Sequence, residues 1–341
     1  MIEQLKELCA ISGISGDEGR VAMRIYDKIS PHVDHVEMDR MGNVIAFKQG
    51  ADHSRKVMAA AHMDEVGLIL KKVDKEGFLK FETVGGIDPR ILPGKQVLIG
   101  SHKVPGIIGL KAIHLQTREE RTRAVPENKL YIDIGAESEE EALRHVSLGD
   151  SISFLPDFTE FGEGFIRSKA LDDRAGCTIL LELAKQPVAY DTYFVFTVQE
   201  EVGLRGARTA TWQIAPDEAY IIETTTCADF TGCEERDHVT TANRGAVISV
   251  MDRSTIYDQE LVKRAISLAR EHEIPYQIKQ SIAGGNDSGI VHRTRQGVRT
   301  LALSIPCRYL HSTASVIAKA DIQAVHDLAK HLLCNVEEER N

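Results

Sequence analysis

Apolar residues at helical spacing open the chain, and stretches that favour β-structure follow them. Ile2, Leu5 and Leu8 recur with the period of a helix, and residues 17–29 predict a second helix. The stretch HVEMDRMGNVIAFKQG predicts two strands joined by a Met-Gly-Asn turn. The next apolar run, VMAAA, stops at polar residues that begin with His62. In α/β proteins, the ends of buried strands are where chemical groups are commonly placed.

The segment 71–157 has a different pattern of apolar and polar positions. Short β-prone pieces such as FLKFETV, KQVLIG and KLYIDIG alternate with Gly-Gly and Pro-Gly turns. One helix is predicted in SEEEALRHV, with Ser138 as its N-cap, and the stretch HLQTREERTRAVPENK predicts an exposed loop. We interpret this segment as a small β-rich domain.

Strand and helix patterns alternate again from residue 158 onward. Strands are predicted in TYFVFTVQEE, AYIIETTT, GAVISVM and VRTLALSIP, and helices near ALDDRAGCTILLELA and LVKRAISLAREH. A closing helix is predicted from Asp321 to about Glu338. The predicted fold class is therefore α/β, with one domain formed by residues 1–70 and 158–341 and a second domain, 71–157, inserted into it.

Composition and charge narrow the possible functions. The 341 residues are 43% hydrophobic, which is enough to build the cores of two domains. The net charge is −10, from 41 basic and 51 acidic residues, and the basic residues do not cluster, so we expect no nucleic-acid partner. The chain has neither an apolar run of about 18 residues nor a secretion signal, so we expect no membrane association. The six dispersed cysteines favour free thiols and a cytoplasmic location.

Carboxylates and histidines stand at the ends of the predicted strands or in the loops beyond them. Each alone has an ordinary explanation, since a lone histidine is usually a core or surface residue and an aspartate before a helix is usually a cap. Their recurrence at five such places favours a shared site. Imidazoles and carboxylates without thiolates suit zinc, cobalt or manganese acting on water, and two cations can share one carboxylate, so metal-assisted hydrolysis is predicted. The candidates are His62 and Asp64 in HMD, Asp172 and Asp173 in LDD, Glu200 and Glu201 in QEE, Glu223 in IIETTT, and His311 in RYLHS.

Five motifs, in their order along the chain, resemble those of the dinuclear-metal aminopeptidases that build tetrahedral particles of twelve subunits. The motifs are HMDEVG, ALDDRAG, VQEEVGLRGA, GGNDSG and RYLHS, with a long insertion between the first two. That family includes bacterial glutamyl aminopeptidases and proteins often mislabelled as endoglucanases. The resemblance covers essentially the whole chain. It implies a phosphorylase/hydrolase-like α/β catalytic domain and makes residues 71–157 an inserted PDZ-like dimerisation domain.

The resemblance also implies a role for each candidate residue. It makes Asp172 the bridge between two divalent cations, which would be zinc or cobalt, with manganese as a further option. Glu200 would be the general base, and Asp64 would orient His62, as carboxylates do for metal-binding imidazoles. His62 and Glu223 would be terminal ligands of one cation apiece, and Glu201 and His311 would be the remaining ligands, one on each cation. Asp173 is interpreted as the cap of the helix that begins near Arg174.

The adjacent Glu200 and Glu201 set a geometric requirement. Successive strand residues point to opposite faces of a sheet, so both carboxylates can reach one site only if the chain leaves strand geometry at this point. We expect this departure, with Glu201 directed to a cation and Glu200 to the attacking water.

The chain departs from the family pattern at two places. Glu223 stands where many relatives have aspartate, so its longer side chain must approach the cation from further back. The residues after His311 read STASV, where many relatives carry an acidic residue.

Four other polar residues have two interpretations each. Asn286 and Asp287, in GGNDSG, are interpreted as caps of the following helix, with substrate contact as the alternative. Arg308 and Tyr309 precede His311 and are interpreted either as packing residues or as substrate residues.

The predicted function is an exo-acting aminopeptidase that removes N-terminal residues from short peptides. A deacylase or other amidohydrolase is the alternative with the same metals, because hydrolysis of any amide needs the same activation of water. A PDZ-like scaffold protein with an inactive hydrolase half is a third alternative, although none of the five ligands is missing. A cellulase would need two carboxylates flanking a sugar and no metals. The resemblance further implies a homo-oligomer, a tetrahedral dodecamer built from dimers, and leaves the preferred N-terminal residue open.

Overall fold

An eight-stranded sheet forms the centre of the fold. The computed structural model describes residues 1–334. The central strands of the sheet run parallel to their neighbours, so their carboxyl ends meet at one edge. In their order across the sheet the strands are β1 (His35–Met38), β2 (Val44–Lys48), β12 (Tyr190–Thr197), β3 (Asp52–His62), β13 (Glu218–Thr226), β16 (Arg299–Cys307), β14 (Ala246–Ile248) and β15 (Tyr276–Ile278).

Burial along β3 explains why its sequence is a continuous apolar run. Every residue from Val57 to Ala61 is at most 3% exposed. Unbroken burial, in place of alternation, is typical of parallel strands covered on both faces.

The helices are α1 (Ile2–Ala10), α2 (Gly19–Ile29), α3 (Glu139–Ala142), α4 (Leu171–Leu183), α5 (Arg205–Ile214), α6 (Gln259–Glu271), α7 (Ser288–Val291) and α8 (Lys319–Leu333).

The helices predicted in the α/β part of the chain are found close to their predicted bounds. The helix predicted over 17–29 is α2, and the closing helix is α8, which begins two residues before Asp321. The predicted end of that helix, near position 338, lies outside the described residues. Helix α6 is capped by Asp258, whose side chain accepts hydrogen bonds from the N–H groups of Glu260 and Leu261. The α/β class is thus confirmed.

The inserted segment forms a closed barrel with a hydrophobic core of its own. The barrel elements begin at Gly67 and end at Phe154. Ser138 accepts a hydrogen bond from the N–H of Glu141, as the predicted cap requires, although α3 is only one turn long. Around the barrel the strands are β4 (Gly67–Val73), β5 (Leu79–Val84), β8 (Tyr131–Asp133), β7 (Val104–Gly109), β6 (Gln96–Ile99) and β9 (Ser151–Phe154).

A third, three-stranded sheet was not predicted, because its strands are too short to show a period. It contains β10 (Thr159–Phe161), β11 (Phe165–Ser168) and β17 (Ser315–Ala318). Strands β11 and β17 are antiparallel, and Ser168 pairs with Ser315. The chain that follows β11 and the chain that precedes β17 therefore leave the sheet side by side.

The remaining sequence expectations concern thiols and membranes. All six cysteines are free, and all except Cys233 are buried, which confirms the expected thiols. Within residues 1–334, no helix combines the length and the apolar character needed to cross a bilayer.

Candidate metal centre

The predicted ligands converge at the carboxyl edge of the central strands. His62 is the last residue of β3, Glu223 lies in the second half of β13, and Glu201 follows the end of β12. Asp172 lies four residues beyond Ser168 of β11, and His311 lies four residues before Ser315 of β17. The antiparallel pairing of β11 with β17 thereby brings the bridge candidate next to the second histidine.

The two carboxylate oxygens of Asp172 face two different imidazoles. Its Oδ1 lies 3.2 Å from Nε2 of His62, and its Oδ2 lies 3.3 Å from Nε2 of His311. Glu223 approaches the first histidine, with Oε2 at 3.7 Å from Nε2 of His62. Glu201 approaches the second, with Oε2 at 3.2 Å from Nε2 of His311. This is the arrangement that a bridging carboxylate between two cations needs.

The grouping of the ligands differs from the sequence expectation. Glu201 and His311 were expected on separate cations, but their contact places them together on one side of Asp172, while His62 and Glu223 share the other side. The reason is topological. His62 and Glu223 belong to the adjacent strands β3 and β13, whereas His311 precedes β17 and contacts Glu201, which follows β12.

Charge and burial at this edge favour cations. Burial is the largest effect on the acids, raising the pKa of Glu223 well above its ordinary value and that of Glu201 to about 7. Burial opposes the charged form of His311 as well, but Asp172 and Glu201 outweigh it and raise the pKa of that imidazole to about 9. In the described part of the chain, the ion pairs of Asp172, Glu201 and Glu223 are made with the two histidines alone.

Two further observations fit metal ions to these residues. The buried Oε1 of Glu223 has no hydrogen-bond partner in residues 1–334, and a buried carboxylate oxygen without a partner is costly unless something binds it. A cavity of ≈ 10 Å³ is lined by residues that include Asp172, Glu201 and His311, which leaves space for about one small ion or water. The imidazole and carboxylate donors suit zinc, cobalt or manganese.

Asp173 has the predicted capping contact and also lies close to the ligands. Its Oδ1 accepts a hydrogen bond of 3.0 Å from the N–H of Gly176, and regular helical geometry begins only at Arg174. Its other oxygen is buried without a hydrogen-bond partner among the described residues. One ligand atom each of Asp173, His62 and Glu223 lie within 4.8 Å of one another, so Asp173 is an additional ligand candidate.

The chain leaves strand geometry just before the two adjacent glutamates, as expected. Gln199 has a positive φ of 55°, which turns the following residues back toward the sheet edge. The N–H groups of Glu200 and Glu201 both donate to the carboxylate of Asp64, at 3.0 and 3.2 Å. Asp64 also lies 3.4 Å from Nδ1 of His62. One carboxylate therefore orients the turn and faces the imidazole it was expected to orient.

The Glu200 carboxylate differs in its surroundings from that of Glu201. It makes no hydrogen bond or ion pair in the described part of the chain, and burial raises its pKa well above the ordinary value. A carboxylate held near the ligands, without a cationic partner of its own, is free to accept a proton from water.

The sequence reasoning missed the residues that hold this turn from the N-terminal side. Ser15 donates a hydrogen bond of 2.6 Å from its hydroxyl to Asp64. Glu18 accepts hydrogen bonds from the N–H groups of Gln199 at 3.1 Å and Gly16 at 2.8 Å. The only signal was the stretch SGISG between two predicted helices, which gives no indication of contacts with residues so far along the chain.

A buried charge cluster fixes the segments that carry His62 and Asp172. Lys169 donates to both oxygens of Glu65, at 2.7 and 2.8 Å, and both side chains are at most 2% exposed. Arg174 is fully buried and donates to the carbonyl oxygen of Met63 at 2.8 Å. Paired in this way, the buried charges join the end of β3 to the start of α4.

The inserted barrel also contacts the site. The Nδ1 atom of His311 lies 3.1 Å from the carbonyl oxygen of Gly86. When Nδ1–H donates to that oxygen, Nε2 is left free to bind a cation. A side chain at position 86 would crowd the ring, because a Cβ there would lie 3.3 Å from Nδ1.

The residues with open interpretations fall into different classes. Asn286 accepts the N–H of Ser288 at 2.8 Å, which is a capping contact. Asp287 accepts the hydroxyl of Thr197 at 2.6 Å, and its other oxygen is buried without a partner in residues 1–334. Arg308 is held by two hydrogen bonds of 2.8 Å to Asp229 and is a packing residue.

Tyr309, by contrast, is 53% exposed. Its ring lies 5.9 Å from that of Phe230.

Sequence comparison gives a family match over most of the chain. The model of the M42 glutamyl aminopeptidase family matches residues 42–328. A putative aminopeptidase of Acetivibrio thermocellus is 38% identical over 336 residues, which are 98% of this chain and 98% of the relative. A lysyl aminopeptidase of Pyrococcus furiosus is 33% identical over 341 residues, which are 97% of this chain and 96% of the relative.

Solved structures of peptidases are also similar to this chain over nearly its whole length. A TET aminopeptidase from a marine sediment archaeon, a Thaumarchaeota archaeon, is 33% identical with a TM-score of 0.94, covering 99% of this chain and 97% of its own. The TET1 peptidase of Pyrococcus horikoshii is 34% identical with a TM-score of 0.87, covering 98% of this chain and 99% of its own. That peptidase is described as able to assemble into a tetrahedron or a large octahedral shell.

Proposed function

Because this chain belongs to the M42 glutamyl aminopeptidase family and is a peptide-bond hydrolase, we propose that it removes N-terminal residues from short peptides with two divalent cations. The observation that carries the proposal is Asp172, whose two oxygens face His62 on one side and His311 on the other. Glu223 completes the first side and Glu201 the second. Zinc or cobalt suits these donors best, and manganese is a further option.

The residues around the metal centre have different roles in the proposed reaction. When bound, the two cations polarise the scissile carbonyl and lower the pKa of the attacking water. Glu200 takes the proton of that water on its carboxylate and passes it to the leaving amine. Asp64 holds the backbone of Glu200 and the ring of His62 in position. Asp287, whose Oδ1 has no hydrogen-bond partner in residues 1–334, is the carboxylate that we propose for the ammonium group of a peptide.

The division of the chain and its assembly belong to the same proposal. Residues 1–70 with 158–341 form the catalytic domain, and 71–157 form a PDZ-like domain that mediates dimerisation. We further propose a homo-oligomer, a tetrahedral dodecamer of dimers, supported by likeness to a peptidase that is described as forming tetrahedra. The free state of all six cysteines supports a cytoplasmic location.

A panel of chromogenic aminoacyl substrates, together with a short peptide and its N-acetylated copy, tests the function. We expect hydrolysis only where the N-terminus is free, two cations per chain by metal analysis, and loss of activity on chelation that added zinc, cobalt or manganese restores. Faster cleavage of the acetylated peptide would point to a deacylase. Full activity of a metal-free protein would contradict the proposal altogether.

A further inference from the structure

We propose that Glu18 is a positioning residue for the general base, acting through the backbone of the turn Gln199–Glu201. The inference rests on the role proposed above for Glu200. Glu18 lies in the N-terminal part of the chain, at the start of α2, and its side chain accepts hydrogen bonds from the N–H groups of Gly16 and Gln199.

The contacts of Glu18 are not those of a helix cap. Glu18 occupies the N-cap position of α2, yet its side chain makes no capping hydrogen bond to that helix. An acid in this position normally accepts from the N–H groups of the first turn. Here Oε1 of Glu18 turns away and accepts the N–H of Gln199 at 3.1 Å. The side chain is buried, with 6% of the residue exposed, so its carboxylate needs hydrogen-bond donors from the protein.

Carboxylates accept three successive N–H groups of the turn. Glu18 accepts that of Gln199, and Asp64 accepts those of Glu200 and Glu201. Ser15, from the same N-terminal segment as Glu18, donates to Asp64. The N-terminal segment therefore supports the whole turn, directly through Glu18 and indirectly through Ser15.

The turn needs such support because its backbone is unusual. Gln199 has a φ of 55°, in the left-handed region that is unfavourable for a non-glycine residue. Without an acceptor for its N–H, Gln199 would gain from relaxing to extended geometry. That relaxation would displace the carboxylate of Glu200, because its side chain makes no hydrogen bond or ion pair in residues 1–334, whereas that of Glu201 also contacts His311.

A small movement of the turn has a large consequence for the chemistry. A general base must lie within hydrogen-bond reach of the proton it takes, and a displacement of about 1 Å can cost about 100-fold in rate. Loss of the Glu18 acceptor should therefore lower turnover while substrate binding and metal content stay close to normal. Glutamine at position 18 keeps an acceptor oxygen and should preserve most of the activity.

The experiment compares Glu18→Ala and Glu18→Gln with Glu3→Ala, which removes an exposed glutamate of α1. For Glu18→Ala we expect kcat to fall about 10- to 100-fold, with KM changed less than about twofold and metal content unchanged. Hydrogen exchange of the turn amides should be faster than in the wild type, with or without metal. Glu18→Gln and Glu3→Ala should resemble the wild type in both measurements.

Combining Glu18→Ala with Glu200→Gln separates positioning from a general loss of stability. If Glu18 acts through Glu200, the double variant should turn over about as slowly as Glu200→Gln alone. A further full loss in the double variant would overturn the inference. An unchanged kcat in Glu18→Ala, together with a strongly reduced kcat in Glu200→Gln, would also overturn the inference. That result would leave the proposed function intact. Near-normal turnover of Glu200→Gln itself would instead contradict the proposed base.

If Glu18→Ala does not fold, Glu18→Asp replaces it. Aspartate keeps the charge but is one methylene too short to reach Gln199, so the same loss of turnover and the same faster exchange are expected. Wild-type turnover together with wild-type exchange in Glu18→Asp would contradict the inference.

Discussion

Glu200 and Glu201 are neighbours in the chain but occupy different chemical environments. The side chain of Glu201 contacts His311 through Oε2, whereas Glu200 makes its hydrogen bonds through the backbone, where its N–H donates to Asp64. The positive φ of Gln199 lets both side chains reach the sheet edge. The two adjacent glutamates can therefore carry two roles, because only the side chain of Glu201 contacts an imidazole.

Isosteric substitutions should separate these roles. Glu200→Gln keeps shape and removes basicity, so we expect turnover to fall about 10²- to 10⁴-fold while both cations stay bound. Glu201→Gln removes an anionic ligand, so metal content should fall as well. Metal analysis and steady-state kinetics on both variants provide the check. Metal loss in Glu200→Gln alone would reverse the roles, and near-normal activity in both would make the pair structural.

Metal binding should depend steeply on pH. In the metal-free protein, the pKa of His311 is raised to about 9 by Asp172 and Glu201 against the effect of burial, and burial raises that of Glu201 to about 7. A cation must displace these protons, so apparent affinity should fall as pH drops through each of these values, and loading should release protons. Calorimetric titration in buffers of different ionisation enthalpy measures the release. An affinity that does not change over this range would contradict the proposed ligands.

At the scale of elements, a buried cluster of charges ties β3 to α4. Lys169 is 1% exposed and pairs with Glu65, and Arg174 lies 3.5 Å from the same carboxylate. The two segments joined in this way carry His62 and Asp172. Packing of α4 on β3 is therefore coupled to the spacing of two proposed ligands.

Breaking this cluster should cost more than breaking a surface pair. Lys169→Met leaves Glu65 buried with less compensation, and we expect a loss of about 3–5 kcal/mol in the free energy of unfolding. Adding Glu65→Gln should recover part of the loss, because the unpaired charge is gone. Lys185→Met is the control, since Lys185 pairs with Glu182 at the surface and should cost less than about 1 kcal/mol. Denaturant titration at fixed protein and metal concentrations measures all three, and equal losses for Lys169→Met and Lys185→Met would contradict the argument.

At the scale of the whole molecule, the inserted barrel has two connections to function. It has its own core, as a separately packed unit should, and the proposal gives it the dimer contacts. It also supplies the carbonyl of Gly86 that faces Nδ1 of His311. If the segment mediates dimerisation as proposed, assembly and the second side of the metal centre depend on the same segment.

Replacing the barrel, from Gly67 to Phe154, with a flexible linker should change both properties. We expect smaller particles in sedimentation, and lower metal occupancy because His311 loses the group that orients its ring. Circular dichroism establishes that the α/β part still folds. A truncated protein of unchanged particle size, or a wild-type protein that sediments as a monomer, would contradict the assembly proposal.

The sequence by itself was sufficient for the local features of the protein. Continuous apolar runs identified the central strands, helical spacing identified α2, and turn residues separated the inserted β segment. These features follow from the short-range period of apolar residues, because a helix or strand must place its apolar side chains on the face that packs against the rest of the protein. The chemical types of the proposed ligands could also be recognised, because polar residues that follow apolar runs stand out in the sequence.

Only the tertiary structure decided how those residues are grouped. The pairing of Glu201 with His311, the support of the turn by Glu18, and the reach of Gly86 to His311 all lie outside the sequence prediction. The last two contacts join residues 181 and 225 positions apart. The two strands that bring Asp172 to His311, β11 and β17, have four residues each, too few for a measurable period. Such contacts depend on strand order and register, and local periodicity carries no information on either.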